Sequence, residues 1–298
     1  MFKKIIPATL ALALVASNVF SSGQITHLVI ALDWLKFCKY SEKDTRSFLR
    51  GTIFPDIRYP AKLKRGCTHD KNVSLKDVVS CKDPFLAGKK FHAFVDETRD
   101  AFLKRYKAQD KNIDERYNNS YPIYSELKFL KEDQKNNRRY DFLSFVEDQI
   151  SFNREKDFKF YIDSLSANNI DEKAYYQGAK PDQVVKWYNN LQVYFKKGPQ
   201  KSFKNVAKKG GYHPCLSCEK KEYFEQYKKV CSLYSENLIL YAKNEVILKC
   251  FLGLRKRFKK LFKEFASNSD YDSDYDEKLN EEELRYHYGL NNFKNRYE

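Results

Sequence analysis

Apolar residues recur at helical spacing through most of the chain. Between Thr26 and Tyr40, the positions Leu28, Ala31, Leu32, Leu35 and Cys38 fall on one face, which predicts a buried helix. Thr45 to Leu49 predicts a short helical turn. Gly51 to Tyr59 predicts an extended, proline-interrupted turn, because Pro55 biases Phe54 away from helical backbone. Cys67 to Pro84 reads as mixed and loop-rich. Phe85 to Tyr106 is the strongest helix, with Phe91, Val95, Thr98, Phe102 and Tyr106 on one stripe. Further helices are predicted at about 122–133, 139–155, 181–197, 219–241 and 244–266. Gly198 to Pro214 is rich in Gly and Lys and reads as a boundary, Ser267 to Asp276 as a polar linker, and Glu281 to Tyr288 as a short terminal helix. The fold class is mainly α.

Composition agrees. Hydrophobic residues make up 42% of the chain although mean hydropathy is −0.72. Much of the apolar content is aromatic, with 23 Phe and 22 Tyr, while only 10 Gly and 8 Pro interrupt it. At 298 residues the chain is long enough to bury a substantial core. Lys3 and Lys4, the apolar run from Ile5 to Phe20 and then Ser21-Ser22-Gly23 have the layout of a secretory signal peptide, with an uncleaved signal anchor as the alternative. The expected organisation is a signal segment at 1–23, a helical domain at 24–197, a basic helical region at 198–266 and an acidic tail at 267–298. Export permits disulfides among the seven cysteines, and Cys67–Cys81 is one candidate bridge.

Charge is uneven. From Lys180 to Lys263 there are twenty Lys and Arg against six Asp and Glu, and from Glu264 onward ten acidic residues face four basic ones. A basic block of this kind suits an anionic membrane surface or nucleic acid, and it also suits plain solvated helix faces.

The candidate chemistry lies in the first third. His92 and Asp96 are four residues apart, so a helix stacks them on one face at the edge of the core, where imidazole and carboxylate can share a cation. Of five histidines, His27, His69 and His92 also lie in this third. Thr26-His27 opens the first helix, Phe54-Pro55-Asp56-Ile57-Arg58-Tyr59 offers a carboxylate in a turn, and Thr68-His69 sits in a loop. In this order, T-H, then G-x-x-F-P-D-I-R-Y, T-H and H-x-x-x-D-E, the segment from about 25 to 105 resembles the zinc-dependent phospholipase C / S1-P1 nuclease-like superfamily. The resemblance implies a multi-helix domain of that type and metal-ligand roles for His27, Asp56, His69, His92 and Asp96. That family adds a second H-x-x-x-E/D pair, which this chain lacks, so one or two Zn2+ ions are expected rather than three. The same chemistry makes Asp56 a bridging ligand or general base, Glu97 a second candidate base, and Arg58 a phosphate-binding residue.

Other signals are weaker. His213-Pro214-Cys215-Leu216-Ser217-Cys218 has zinc-like spacing, but export favours disulfides or core cysteines there. Asp270, Asp272, Asp274 and Glu281 match an EF-hand loop except that Tyr275 holds the glycine position, so a solvated acidic linker is the expectation. No P-loop, nucleophile elbow or dinucleotide-binding glycine pattern occurs. The expected function is an exported metal-dependent phosphoesterase acting on phospholipid. The alternatives are a nuclease using the same site and a secreted helical binding protein with a vestigial metal site.

Overall fold

The computed structural model describes residues 23–61, 63–109, 132–165, 178–209 and 224–268. The expected signal segment up to residue 22, residues 122–131 of the helix expected at 122–133, the His213–Cys218 motif and the acidic residues 270–281 lie outside the described residues. Among the described residues the structure is helical, with no strand. Its α-helices are α1 (Gln24–Leu35), α2 (Glu42–Ile53), α3 (Arg58–Ala61), α4 (Arg65–Thr68), α5 (Leu75–Val79), α6 (Pro84–Gln109), α7 (Glu132–Arg154), α8 (Pro181–Lys197), α9 (Pro199–Lys209), α10 (Phe224–Ala242) and α11 (Glu245–Asn268). None of these helices is long and apolar enough to cross a membrane.

Two apolar cores organise the molecule. One joins Leu28 and Trp34 of α1, Phe48 of α2, Phe91 of α6, Trp187 and Leu191 of α8, and Phe258 and Phe262 of α11. The second joins Phe142, Phe145 and Val146 of α7, Phe203 of α9, Tyr234 and Leu238 of α10, and Phe251 of α11. The cores do not divide at residue 198. Helix α7, which precedes that point, packs with α9 and α10, and α11 contributes to both cores. Gly198, at φ 79°, ends α8, and Pro199 starts α9 immediately. A glycine in left-handed backbone and a proline in the first turn are a stop and a start, so the Gly/Lys-rich stretch begins with a helix instead of a linker.

The segment around Pro55 also differs from expectation. Phe54–Ile57 is a 3-10 helix continuing from α2, and Phe54 has helical backbone (φ −56°, ψ −39°). Proline supplies no amide, and the first turn of a helix does not need one. In the expected loop region, Ser74 and Asp77 form a capping box that nucleates α5. Among the described residues, Cys38, Cys67, Cys81, Cys231 and Cys250 form no disulfide with one another, so the Cys67–Cys81 bridge is absent.

Helices α2 and α6 touch backbone to backbone. A Cβ at Gly51 would stand 2.0 Å from the Phe85 carbonyl oxygen, and one at Gly88 would stand 2.0 Å from that of Phe48. These two glycines bring the end of α2 against the first turns of α6, one turn before His92.

Candidate metal centre

Four segments bring His27, Asp56, His69, His92 and Asp96 together in the interior. Helix α1 carries His27, the 3-10 helix after α2 carries Asp56, the residue after α4 is His69, and α6 carries His92 and Asp96. Relative exposure is 0% for His27, His92 and Asp96, 3% for Asp56 and 5% for His69. The pair on α6 is therefore buried, deeper than the core edge that its spacing suggests.

His92 is the centre of the group. Its Nδ1 lies 2.7 Å from the Thr52 carbonyl oxygen. A carbonyl only accepts, so Nδ1 donates to it and Nε2 is the ring nitrogen left to face the cluster. That Nε2 lies 3.0 Å from His69 Nε2, 3.5 Å from Asp96 Oδ2 and 4.0 Å from Asp56 Oδ1. His69 Nε2 is 3.6 Å from Asp96 Oδ2, and His27 Nε2 is 3.3 Å from Asp96 Oδ1. The rings of His27 and His92 stack at 3.9 Å, and His69 meets His92 edge-on. Donor atoms about 2.0–2.1 Å from a tetrahedral zinc stand about 3.3 Å from one another. The separations here bracket that edge length. Two triads, His27/His92/Asp96 and Asp56/His69/His92, have ligand atoms all within 4.8 Å of one another, and they share His92. Imidazole and carboxylate together suit zinc. The buried Gln24 amide supports the fit: its Nε2 donates to Asp56 Oδ2, and its Oε1 has no hydrogen-bond partner among the described residues.

The surroundings hold the rings in ligating form. Burial, with help from His92, lowers His27 to about 4 against the pull of Asp96. Burial and His92 likewise push His69 far below its ordinary range. Both rings are then neutral at pH 7, as ligands must be. Burial opposes ionisation of Asp96, but His92 and His27 outweigh it and hold the carboxyl well below its ordinary range. Thr68 Oγ1 lies 2.8 Å from His69 Nδ1 and 3.3 Å from the Arg65 carbonyl oxygen. A His69 that uses Nε2 as ligand donates Nδ1–H to Thr68, whose hydroxyl in turn donates to Arg65, an outer-shell chain of the kind that orients metal-bound histidine.

The remaining candidates separate. Arg58 Nε is 3.9 Å from Asp56 Oδ1, beside the cluster. Glu97 is not brought into it. The next position on a helix is rotated by about 100°, and Glu97 accepts from the Asn72 amide at 2.8 Å, pinning the 70–74 loop where Asn72 has φ 56°. Asp56 is left as the base candidate within the cluster. Two residues with no motif signal join the site. Arg65 Nη2 donates to Asp96 Oδ2 at 2.8 Å. Asp148 of α7 caps α1, accepting from the Thr26 amide at 2.8 Å and from Tyr194 Oη at 2.7 Å. It supplies what the Gly23 N-cap cannot, and it sets the start of the helix that carries His27.

Burial raises Asp148 to about 7, against its hydrogen bonds. Its effect on stability opposes that of His27. Unfolded histidine titrates near 6.5, so as pH falls from about 6.5 to 4 the unfolded chain gains a proton that native His27 refuses, and stability drops. Native Asp148 keeps a proton that the unfolded chain loses near 3.9, so its contribution is present at low pH and disappears as pH rises to about 7. Asp148→Asn removes only the second effect. Urea midpoints in chelator are therefore expected to fall more steeply from pH 6.5 to 4 in Asp148→Asn than in wild type. Parallel profiles would contradict this assignment.

Compared with protein-family models, curated proteins and solved structures, the chain matches none.

Proposed function

We propose that the chain is an exported, metal-dependent phosphoesterase of the zinc-dependent phospholipase C type. The observation that carries this reading is the convergence of His27, Asp56, His69, His92 and Asp96, drawn from four segments, on one buried cluster with ligand-like spacing. A bound divalent ion supplies a water of lowered pKa, near 7 in good zinc sites, and polarises the phosphoryl oxygen. The chain supplies the rest. His69, His92 and Asp96 would hold the ion, with His27 beside the second oxygen of Asp96. Asp56, tethered by Gln24, accepts the proton of the attacking water. Arg58, at the side of Asp56, takes a non-bridging phosphate oxygen through a charge-assisted fork. Both triads use His92, whose Nε2 can serve one ion at a time, so they describe one shared centre that fits one ion, or two where the second is held without His92, better than three.

Phospholipid is the favoured substrate. Helix α11 buries Leu254, Phe258 and Phe262 and exposes Lys256, Arg257, Lys260 and Lys263, a basic face that suits an anionic bilayer. Zinc-loaded protein is expected to release phosphorylated headgroup from anionic liposomes, and His69→Ala is expected to lose at least about 100-fold in rate, as befits a lost ligand. Cleavage of single-stranded DNA without headgroup release assigns the same site to a nuclease. No turnover of either substrate by zinc-loaded protein favours a second reading, a helical binding protein with a vestigial centre. One observation supports that reading: Asp96 and Asp56 each already face an arginine.

A further inference from the structure

Arg65 stands where a cation belongs. Its Nη2 is 2.8 Å from Asp96 Oδ2, the same oxygen that lies 3.5 Å from His92 Nε2 and 3.6 Å from His69 Nε2. The two carboxylates of the cluster, Asp56 and Asp96, are matched by two guanidinium groups, Arg58 and Arg65. Each of the two carboxylates thus has a guanidinium beside it before any metal arrives. A buried carboxylate without a counter-charge is strongly unfavourable, so this pairing keeps the fold stable in the metal-free state. It also sets a conflict. A divalent ion on Asp96 Oδ2 adds two positive charges beside a guanidinium already bonded to that oxygen, in a site where water screens little.

Geometry gives Arg65 a way out. Its side chain is 24% exposed while Asp96 is at 0%, and it extends from α4, which has only four residues. Its backbone keeps the link to His69 through Thr68, whatever the guanidinium does.

We infer that Arg65 is a resident counter-cation of the metal centre, holding Asp96 while the site is empty and yielding Asp96 Oδ2 to the divalent ion by turning towards solvent. This rests on the metal-centre reading above. Arg65 therefore sets metal affinity: it weakens binding in exchange for a stable metal-free fold.

The test is chelator competition with zinc alone, on wild type, Arg65→Gln and Arg65→Lys, paired with urea unfolding in chelator and in zinc. Arg65→Gln is expected to bind zinc about tenfold more tightly, since one repelling charge beside the ion is gone. It is also expected to unfold at lower urea in chelator and to recover in zinc. Arg65→Lys keeps the charge and is expected to stay near wild type. Should Arg65→Gln fold only when zinc is present, the zinc-dependent recovery of helical circular dichroism supports the inference. Misfolding in both conditions overturns it. Zinc bound by all three proteins with equal affinity, or more weakly by Arg65→Gln, overturns the role of Arg65 and leaves the metal centre standing. Zinc bound by none overturns both.

Discussion

His92→Ala is expected to abolish zinc binding and to lower the stability of the metal-free protein as well. Both effects follow from one position. His92 belongs to both ligand triads, so no subset of the remaining side chains reproduces either one. Changing an outer-shell partner of a metal ligand typically weakens binding about 10–100-fold, so loss of a shared ligand should exceed that range. The stability effect has a separate cause. His92 is fully buried, stacks on His27 and donates to the Thr52 carbonyl near the end of α2. Alanine leaves a cavity and removes the donor from a buried carbonyl, together about 2–4 kcal/mol. For a protein of this size that lowers Tm by roughly 5–15 °C. His92→Asn separates the two effects, because its amide nitrogen can occupy the place of Nδ1 and still donate to Thr52. It is expected to regain part of the stability and none of the zinc. Thermal scans in chelator, alongside metal titration, check both; zinc affinity of His92→Asn equal to wild type would rule out His92 as a ligand.

The second large effect is expected from a methyl group. Gly51→Ala places Cβ 2.0 Å from the Phe85 carbonyl oxygen, and Gly88→Ala places it 2.0 Å from that of Phe48. In both cases the obstacle is backbone, which cannot rotate aside. Helices α2 and α6 must separate, at an overpacking cost of about 1–3 kcal/mol or more, against which alanine regains only about 0.5–1 kcal/mol of helix propensity. Because Gly51 adjoins Thr52, the separation also disturbs the Thr52–His92 hydrogen bond that fixes the ring. Gly51→Ala should therefore lower the urea midpoint and weaken zinc binding together. Gly66→Ala is the control: nothing lies within 4 Å of a Cβ there, so its unfolding free energy should stay within about 0.5 kcal/mol of wild type and its midpoint should barely move. Equal midpoints for Gly51→Ala and Gly66→Ala would show that α2 and α6 are not in close contact.

These two glycines also mark what the sequence conceals. Read along the chain, Gly51 and Gly88 are weak helix residues; only the partner helix explains them. Pro55 misled in a similar way. The general bias against helix before proline was overridden because α2 continued directly into a 3-10 turn, where the missing amide has no consequence. The boundary at Gly198 was legible as a break in the chain but not as a break in the fold, since α11 runs along both cores. In contrast, the helix at 181–197 agrees to the residue, because Pro181 and Gly198 punctuate both ends.

The site divides along the same line. The cluster was visible as a set of candidate ligands because histidines are few, the His92/Asp96 spacing is set by the helix itself, and the family resemblance brought in Asp56. Arg65 and Asp148 were invisible, since nothing local distinguishes them from the many other charged residues; their roles come from contacts across 31 and 122 positions of chain. Glu97 shows the limit of adjacency: one step from Asp96 in sequence, it serves a loop instead of the cluster.

Metal stoichiometry tests the central claim most directly. Wild-type protein loaded with zinc, freed of excess and assayed by elemental analysis should retain about one to two equivalents, and His92→Ala and Asp96→Ala should each retain less than about a tenth. Wild-type protein retaining less than about a tenth of an equivalent after loading, with its helical circular dichroism intact, would contradict a metal centre at His27, Asp56, His69, His92 and Asp96.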